Sequence, residues 1–281
     1  SRLMLRKTTN AGETWQNIQL PVQGQWDTLY TIFDISYLSQ NVCYVIGFFN
    51  LECKIWKTTD GGNSWVIQTT GGANYLMNLY FINENFGFAY GGPTYSEVVR
   101  TTNGGATWQM VSQESYVAAS MCFIDSLKGV YGCENGRLLK TSDGGLTWSF
   151  ALCPSSLDIM SIHFINSTTG FGFGAGSVYV KTTDGGNSWE EFSLGIGGYR
   201  VYHDAALTAN GTMNIVGTYG AMIRTTNSGA TFISQPYVTE HSISDIEFVD
   251  VNTGYAVAGF GDGDILKTTN GGSTWVSQVS S

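Results

Sequence analysis

The chain has 281 residues, with 36 glycines, 14% aromatic and only 12% charged residues, which describes many short strands and tight turns rather than disorder. No stretch approaches eighteen consecutive apolar residues, so no membrane-spanning helix is encoded. The net charge is −9, and seven of the thirteen Lys and Arg residues recur at one repeat position. The six that are left cannot form the basic stripe that nucleic acid or an anionic membrane surface requires.

The first element in chain order is a turn, KTTNAGETW at Lys7–Trp15, with only Ser1–Leu5 and Arg6 ahead of it. The turn returns as KTTDGGNSW at Lys57–Trp65 and Lys181–Trp189, RTTNGGATW at Arg100–Trp108 and KTSDGGLTW at Lys140–Trp148. RTTNSGATF at Arg224–Phe232 and KTTNGGSTW at Lys267–Trp275 complete the series, with steps of 50, 43, 40, 41, 43 and 43 residues. A period near forty-two, filled with strand-like segments, fits one four-stranded unit per repeat. Between turns come an apolar strand (Leu76–Ile82, Met160–Ile165, Ile243–Val249) and a Gly-aromatic strand (Gly87–Tyr90, Gly170–Phe173, Gly254–Val257). A third strand ends in the repeated Lys or Arg, and a fourth begins at the Trp. Helical periodicity is absent. Inner-strand pairs begin near Leu29, Leu76, Ala119, Met160, Tyr202 and Ser244, six pairs for seven turns. The first unit is therefore expected to lack its inner strands unless upstream sequence supplies them.

Within each turn the Asp or Asn (Asn10, Asp60, Asn103, Asp143, Asp184, Asn227, Asn270) is placed to accept backbone N–H groups just ahead of it. The second glycine is present in all seven copies (Gly62, Gly145 and Gly186 among them), whereas Ala11 and Ser228 replace the first in two. That asymmetry predicts a positive φ at the second position. The closing aromatics, Trp15, Trp65, Trp108, Trp148, Trp189, Phe232 and Trp275, are expected to be mostly buried plates between strands.

The pattern S/T-x-D/N-x-G-x-S/T-W resembles the Asp-box, or bacterial neuraminidase repeat. With the strands that precede it, the chain is similar to the photosystem II assembly and stability factor-like propellers and to related bacterial surface proteins. The resemblance implies an all-β, seven-bladed β-propeller of four-stranded antiparallel blades filling 1–281 as a single domain. It also implies that the boxes sit at the turn between third and fourth strands, away from the ligand face. Function is less determined, because sialidases, xyloglucanases and assembly factors share the box.

Sialidase chemistry needs an arginine triad, and only Arg2, Arg6, Arg137 and Arg200 stand outside the repeat position. Glycoside hydrolysis needs two carboxylates flanking a cleft, and Asp27, Glu97, Glu134, Asp158, Asp204, Asp262 and Asp264 lie on or near connections that reach one face. His163, His203 and His241 fall in different repeats without ligand spacing, and no phosphate loop or nucleophile elbow occurs, so neither a metal nor a cofactor is expected. Of five cysteines, Cys122 and Cys133 are the pair expected to face each other in an oxidising compartment, with Cys153 left over.

The turns repeat almost unchanged, whereas the opposite connections vary and carry Trp26, Phe49, Tyr75, Tyr95, Tyr116, Tyr199, Tyr202, Tyr237 and Phe260. The expected binding face is Trp26, Asp27, Tyr75, Tyr116, Asp158, Tyr199, Arg200, Tyr202 and Asp204, with YRVYHD at Tyr199–Asp204 its densest stretch. The leading expectation is a non-catalytic, extracytoplasmic (periplasmic, cell-surface or secreted), bacterial-like scaffold that docks a protein partner or helps assemble a larger complex. The alternative is a carbohydrate-active propeller, a glycoside hydrolase or a glycan-binding module.

Overall fold

The computed structural model describes residues 4–10, 12–21, 31–49, 52–259 and 263–278. Every sheet is antiparallel and runs in chain order. The chain divides into two compact units, Ser1–Ala118 with Gly145–Thr147, and Ala119–Gly144 with Trp148–Ser281.

The first unit opens with a two-stranded sheet, β1 (Met4–Lys7) and β2 (Gln16–Gln19). Two four-stranded sheets follow. One is β3 (Thr31–Tyr37), β4 (Cys43–Phe49), β5 (Glu52–Thr58) and β6 (Val66–Gln68); the other is β7 (Asn78–Phe81), β8 (Gly87–Gly91), β9 (Ser96–Thr101) and β10 (Gln109–Glu114). Buried Val42, Ile46, Ile55, Leu76, Leu79, Ala89 and Trp108 form one core between these two sheets, and Leu20, Val45 and Trp56 form another on the other side of β4 and β5.

The second unit has four such sheets. They are β11 (Ala118–Phe123), β12 (Gly129–Cys133), β13 (Leu138–Thr141) and β14 (Ser149–Phe150); then β15 (Ile159–Phe164), β16 (Gly170–Gly174), β17 (Val178–Thr182) and β18 (Glu190–Ser193). After them come β19 (Tyr202–Leu207), β20 (Met213–Gly217), β21 (Met222–Thr225) and β22 (Ile233–Ser234), and finally β23 (Ile243–Phe248), β24 (Gly254–Ala258), β25 (Asp264–Thr268) and β26 (Val276–Gln278). Each consecutive pair of these sheets shares an apolar core, as Val130, Leu138, Ile159, Ile162, Val180 and Trp189 do for the first two. Among the described residues the repeat thus makes seven sheets, six of four strands and a first of two. The seven complete blades that the resemblance implied are not all present, and the sheet that falls short is the one that the count of inner strands singled out.

Each box follows the third strand and turns the chain into the fourth strand, or toward it. In the second copy the Thr58 hydroxyl donates to Asp60 Oδ1 at 2.8 Å and accepts Gly62 N–H, while Asp60 Oδ1 also accepts Ser64 N–H at 2.9 Å. The second glycines have φ of 76–91°, as expected, but the first position is also left-handed, from 55° at Ser228 to 73° at Gly185. The sign of φ therefore does not separate the two. Space does so in some copies: a Cβ on Gly186 would stand 2.6 Å from Val130 Cγ2, whereas one on Gly185 meets only Ser167 O at 3.2 Å and Ile124 Cδ1 at 3.9 Å; in the second copy the order is reversed, Gly62 having nothing nearer than 3.7 Å and Gly61 meeting Gln40 O at 3.0 Å. The box aromatics are buried at Trp108, Trp189 and Trp275 and half-buried at Trp65, Trp148 and Phe232, whereas Trp15, in the two-stranded sheet, is exposed.

Two inter-sheet devices recur. The repeated cation reaches the next box: Lys7 Nζ donates to Gly61 O, Lys57 Nζ to Gly104 O, Arg224 Nε to Gly271 O and Lys140 Nζ to Asn187 Oδ1, at 2.6–2.9 Å. On the inner strands, β-bulges at 32/34, 159/161, 202/204 and 243/245 re-aim the following side chain. Asp34 then accepts Leu79 N–H and Asp204 accepts Ile246 N–H, each on the next sheet; at the same level of the repeat Ser120 accepts Ile162 N–H.

The expected Cys122–Cys133 pairing is out of register. Ile124 N–H donates to Lys128 O, which levels Cys122 with Val130, three residues short of Cys133. Burial instead pushes the Cys43 and Cys53 thiols up to about 11, and Cys53 Sγ–H donates to Leu76 O.

Candidate functional site

The connections from fourth strand to next first strand, and from second to third strand, carry the sequence-derived candidates. In the second unit three of them meet at Arg200, which lies between β18 and β19. Its backbone is fixed: Gly176 N–H donates to Arg200 O at 2.7 Å, and Thr218 N–H donates to Val201 O. Its Nη1 donates to Tyr199 O at 3.1 Å, Nη2 lies 3.4 Å from Tyr237 Oη, and the guanidinium carbon stands 5.6 Å from the Tyr219 ring centroid. Tyr199, Tyr219 and Tyr237 are exposed at 68%, 67% and 63%. No carboxylate among the described residues lies within ion-pair distance of Arg200. A guanidinium has five N–H donors, so several remain directed at solvent.

Tyr219 sits in a 3-10 turn, Thr218–Gly220, at φ 56°. The equivalent turn Glu134–Gly136 has Asn135 at φ 57°, a residue type that tolerates the left-handed region. An aromatic held there carries a backbone cost without burying its ring.

The other candidates divide. Tyr199 and Arg200 are in the cluster, and Tyr237 joins them from the wider set of aromatics. Tyr202 is 1% exposed and belongs to the core with Phe171, Phe173 and Ile215, so it is no surface residue. Asp204 is likewise turned into the inner-strand network, against Ser161 and Ile246. Asp158 is half-buried and accepts Asn135 N–H at 2.9 Å. In the first unit Tyr75 is stacked on Phe48, with ring centroids 6.0 Å apart, and Tyr116 is half-buried. Trp26 and Asp27 lie outside the described residues. Tyr219 was missed; its signal was the TYG tripeptide between second and third strands, at the place where ENG stands two repeats earlier.

Four of the acids considered for hydrolysis, Glu97, Asp158, Asp204 and Asp264, serve as structural acceptors. Glu97 is buried and accepts Asn74 N–H and Tyr75 N–H, and Asp264 accepts Thr239 Oγ1–H and stands 3.1 Å from His241 Nδ1. Asp262 is outside the described residues. Among the described residues no group of three or more His, Cys, Asp or Glu is placed to hold a metal ion, and no helix is long and apolar enough to cross a membrane.

Repeated four-stranded antiparallel sheets, each joined at its third-to-fourth turn by an Asp-box, with an aromatic–arginine cluster on the opposite kind of connection, define an Asp-box β-propeller. The chain belongs to the photosynthesis system II assembly factor YCF48 family, which it matches over residues 7–149 and 111–235. A curated relative, the photosystem II stability/assembly factor HCF136, chloroplastic, of Oryza sativa subsp. japonica, is 22% identical over 93% of this chain and 73% of its own length. A solved structure of YCF48 bound to D1 peptide shares 19% identity, with TM-score 0.65, over 92% of this chain and 86% of that one. The fold is also that of the GH74 xyloglucanase from Xanthomonas campestris, at TM-score 0.67 and 10% identity, where 90% of this chain covers 47% of the enzyme.

Proposed function

We propose that this chain is a non-catalytic docking propeller that binds a protein partner or helps assemble a larger complex through the surface formed by Tyr199, Arg200, Tyr219 and Tyr237. The observation that carries the reading is Arg200 itself, an arginine held by backbone and phenol contacts, flanked by three exposed tyrosines and without a counter-ion among the described residues. Tyr and Arg supply large contact area at low entropic cost and dominate protein-docking surfaces. The unused donors suit an acidic side chain on the partner. The D1 peptide bound by a solved relative supports a polypeptide ligand for the family. Tyr75, Tyr116 and Asp158, with Trp26 and Asp27, are secondary candidates for the same role.

The reading extends to a single seven-bladed domain working outside the cytoplasm, supported by seven box copies and by the lysine-poor, Asn-, Ser- and Thr-rich connections. Compartment is read directly by fractionating cells that express the native precursor. For docking, Tyr199, Arg200 and Tyr237 are changed to Ala together; Tyr202 is left intact because it belongs to the core. Partners retained from the source organism's extracts by the parent protein should be lost, with the unfolding midpoint unchanged. Identical retention by both proteins would refute the assignment of this surface. Sugar release from xyloglucan by the parent protein would instead establish the carbohydrate-active alternative.

A further inference from the structure

Arg200 stands in a connection that little packing holds. Between β18 and β19 the chain reads LGIGGYRV from Leu194 to Val201, with glycines at 195, 197 and 198. Glycine brings backbone freedom that ordering must remove, and a Cβ on Gly195 or Gly197 would meet nothing within 4 Å. Hydrogen bonds hold it instead. Leu194 N–H donates to Ser177 O at 2.9 Å, the Ser177 hydroxyl donates to Gly198 O, and Gly176 N–H donates to Arg200 O at 2.7 Å. The far end is fixed on the next sheet, where Val201 N–H donates to Thr218 Oγ1 at 3.1 Å and Thr218 N–H to Val201 O at 2.9 Å. Ser177 thus touches the connection at both ends of its glycine run.

The matching turns show what the hydroxyl adds. Leu138, Val178 and Met222 begin the third strands of three successive sheets. Arg137, Ser177 and Ala221 therefore hold one position, and Gly136, Gly176 and Gly220 the position before it. A Cβ on Gly136 would stand 1.9 Å from Ser155 O, and one on Gly220 1.9 Å from Thr239 O, so there the following connection lies directly on the turn glycine. One on Gly176 meets only Leu157 Cδ1, at 3.0 Å, and no atom of 194–201. The connection that carries Arg200 is not packed on its turn glycine, and the Ser177 side chain supplies the contact. Buried Ala221 shows that the fold accepts this position without a hydroxyl.

We propose that Ser177 is a positioning residue of the docking surface: its hydroxyl, with Gly176 N–H, fixes the end of the glycine run so that Arg200 is aimed at Tyr219 and Tyr237 before a partner arrives. The inference rests on the docking reading of that surface. Tyr219 and Tyr237 belong to other connections, so Arg200 keeps both contacts only while its own backbone is held in place. A side chain already ordered in the free protein loses less freedom on binding.

The test is made on the free protein by NMR relaxation and amide exchange. Ser177→Ala installs the residue type native at Ala221, and Ser177→Thr keeps a hydroxyl. The Arg200 Nε–H order parameter should exceed about 0.6 in the parent, the level below which a group counts as flexible, and Ser177→Ala should bring it below that level. Gly176 amide protection should fall about fivefold or more in Ser177→Ala. Protection of Ala221, whose N–H donates to Thr218 O within its own turn, should stay within about twofold. Ser177→Thr should restore the Arg200 order and the Gly176 protection, and the urea midpoint should be the same in all three proteins. A mobile Arg200 in the parent, or an equally ordered one in Ser177→Ala, would overturn the assignment. So would a midpoint that falls together with Gly176 protection, because Ser177 would then serve the fold as a whole. None of these readouts needs a partner, so they separate failure of the positioning role from failure of the docking surface, which partner retention reads.

Discussion

Asp60 and Asp184 do the same work as Asn103 and Asn270 with a different partner. Where the box has Asp with Ser, the serine hydroxyl donates to the carboxylate, as Ser64 does at 2.5 Å and Ser188 at 2.6 Å. Where it has Asn with Thr, the amide donates to the threonine hydroxyl, at 2.8–2.9 Å in all four Asn copies. Hydrogen bonds led by Ser64 bring Asp60 down to about 2, and at Asp184 those from Ser188, Thr182 and Asn187 outweigh burial, again to about 2. Depressed carboxyls stabilise the fold above the ordinary carboxylate range and lose that contribution as pH falls from there toward 2. Converting both boxes to Asn with Thr (Asp60→Asn, Ser64→Thr, Asp184→Asn, Ser188→Thr) should therefore flatten the acid limb of a melting-temperature profile between pH 2 and pH 5. At the second glycine, Gly186→Ala meets both φ 84° and Val130, and should cost about 1–3 kcal/mol in urea unfolding. Gly185→Ser, which copies the native Ser228, should cost less than about 1 kcal/mol. Tyr219→Gly relieves a left-handed aromatic and should stabilise the protein by about 1 kcal/mol while weakening partner binding, a combination that a purely structural tyrosine would not give.

Strands and turns were legible because each is a local matter. The apolar run, the Gly-aromatic run and the box recur in order, and β7, β15 and β23 fall within a residue or two of the apolar runs read from the sequence. The bulges were not legible, since an extra residue in a ladder leaves no compositional mark. They decide that Asp204 turns into the inner network instead of onto the binding face. Cysteine register failed for a related reason: a hairpin's centre is set by which N–H closes the turn, here Ile124 to Lys128. The recurring cation was visible as a pattern without a purpose. Its purpose is inter-sheet, so Lys57→Met, which loses both the bond to Gly104 O and the ammonium 5.1 Å from the Tyr44 ring centroid, should cost about 1 kcal/mol in urea unfolding.

Repetition on the scale of the whole chain makes each sheet depend on its neighbour for burial. Leu79, Ile162, Ala205 and Ile246 occupy one position of the first strand and are 2–7% exposed, whereas Ile35 at that position is 49% exposed, where the sheet before it has two strands among the described residues. Ile246→Ala should accordingly cost about 2–5 kcal/mol and Ile35→Ala less than about 1 kcal/mol, in parallel urea titrations. The sequence by itself determined the repeat, its strand order, the box chemistry and the shortfall in the first sheet, since all of these follow from local hydrogen bonding and periodicity. Only the tertiary structure decided which polar residues face solvent. The stretch Tyr199–Asp204 reads as one polar-aromatic cluster, yet Tyr199 is exposed, Tyr202 enters a core and Asp204 clasps two neighbouring sheets. Tyr219 and Tyr237 reach Arg200 from connections 19 and 37 residues along the chain. Such proximity arises from the packing of successive sheets, which no single repeat encodes.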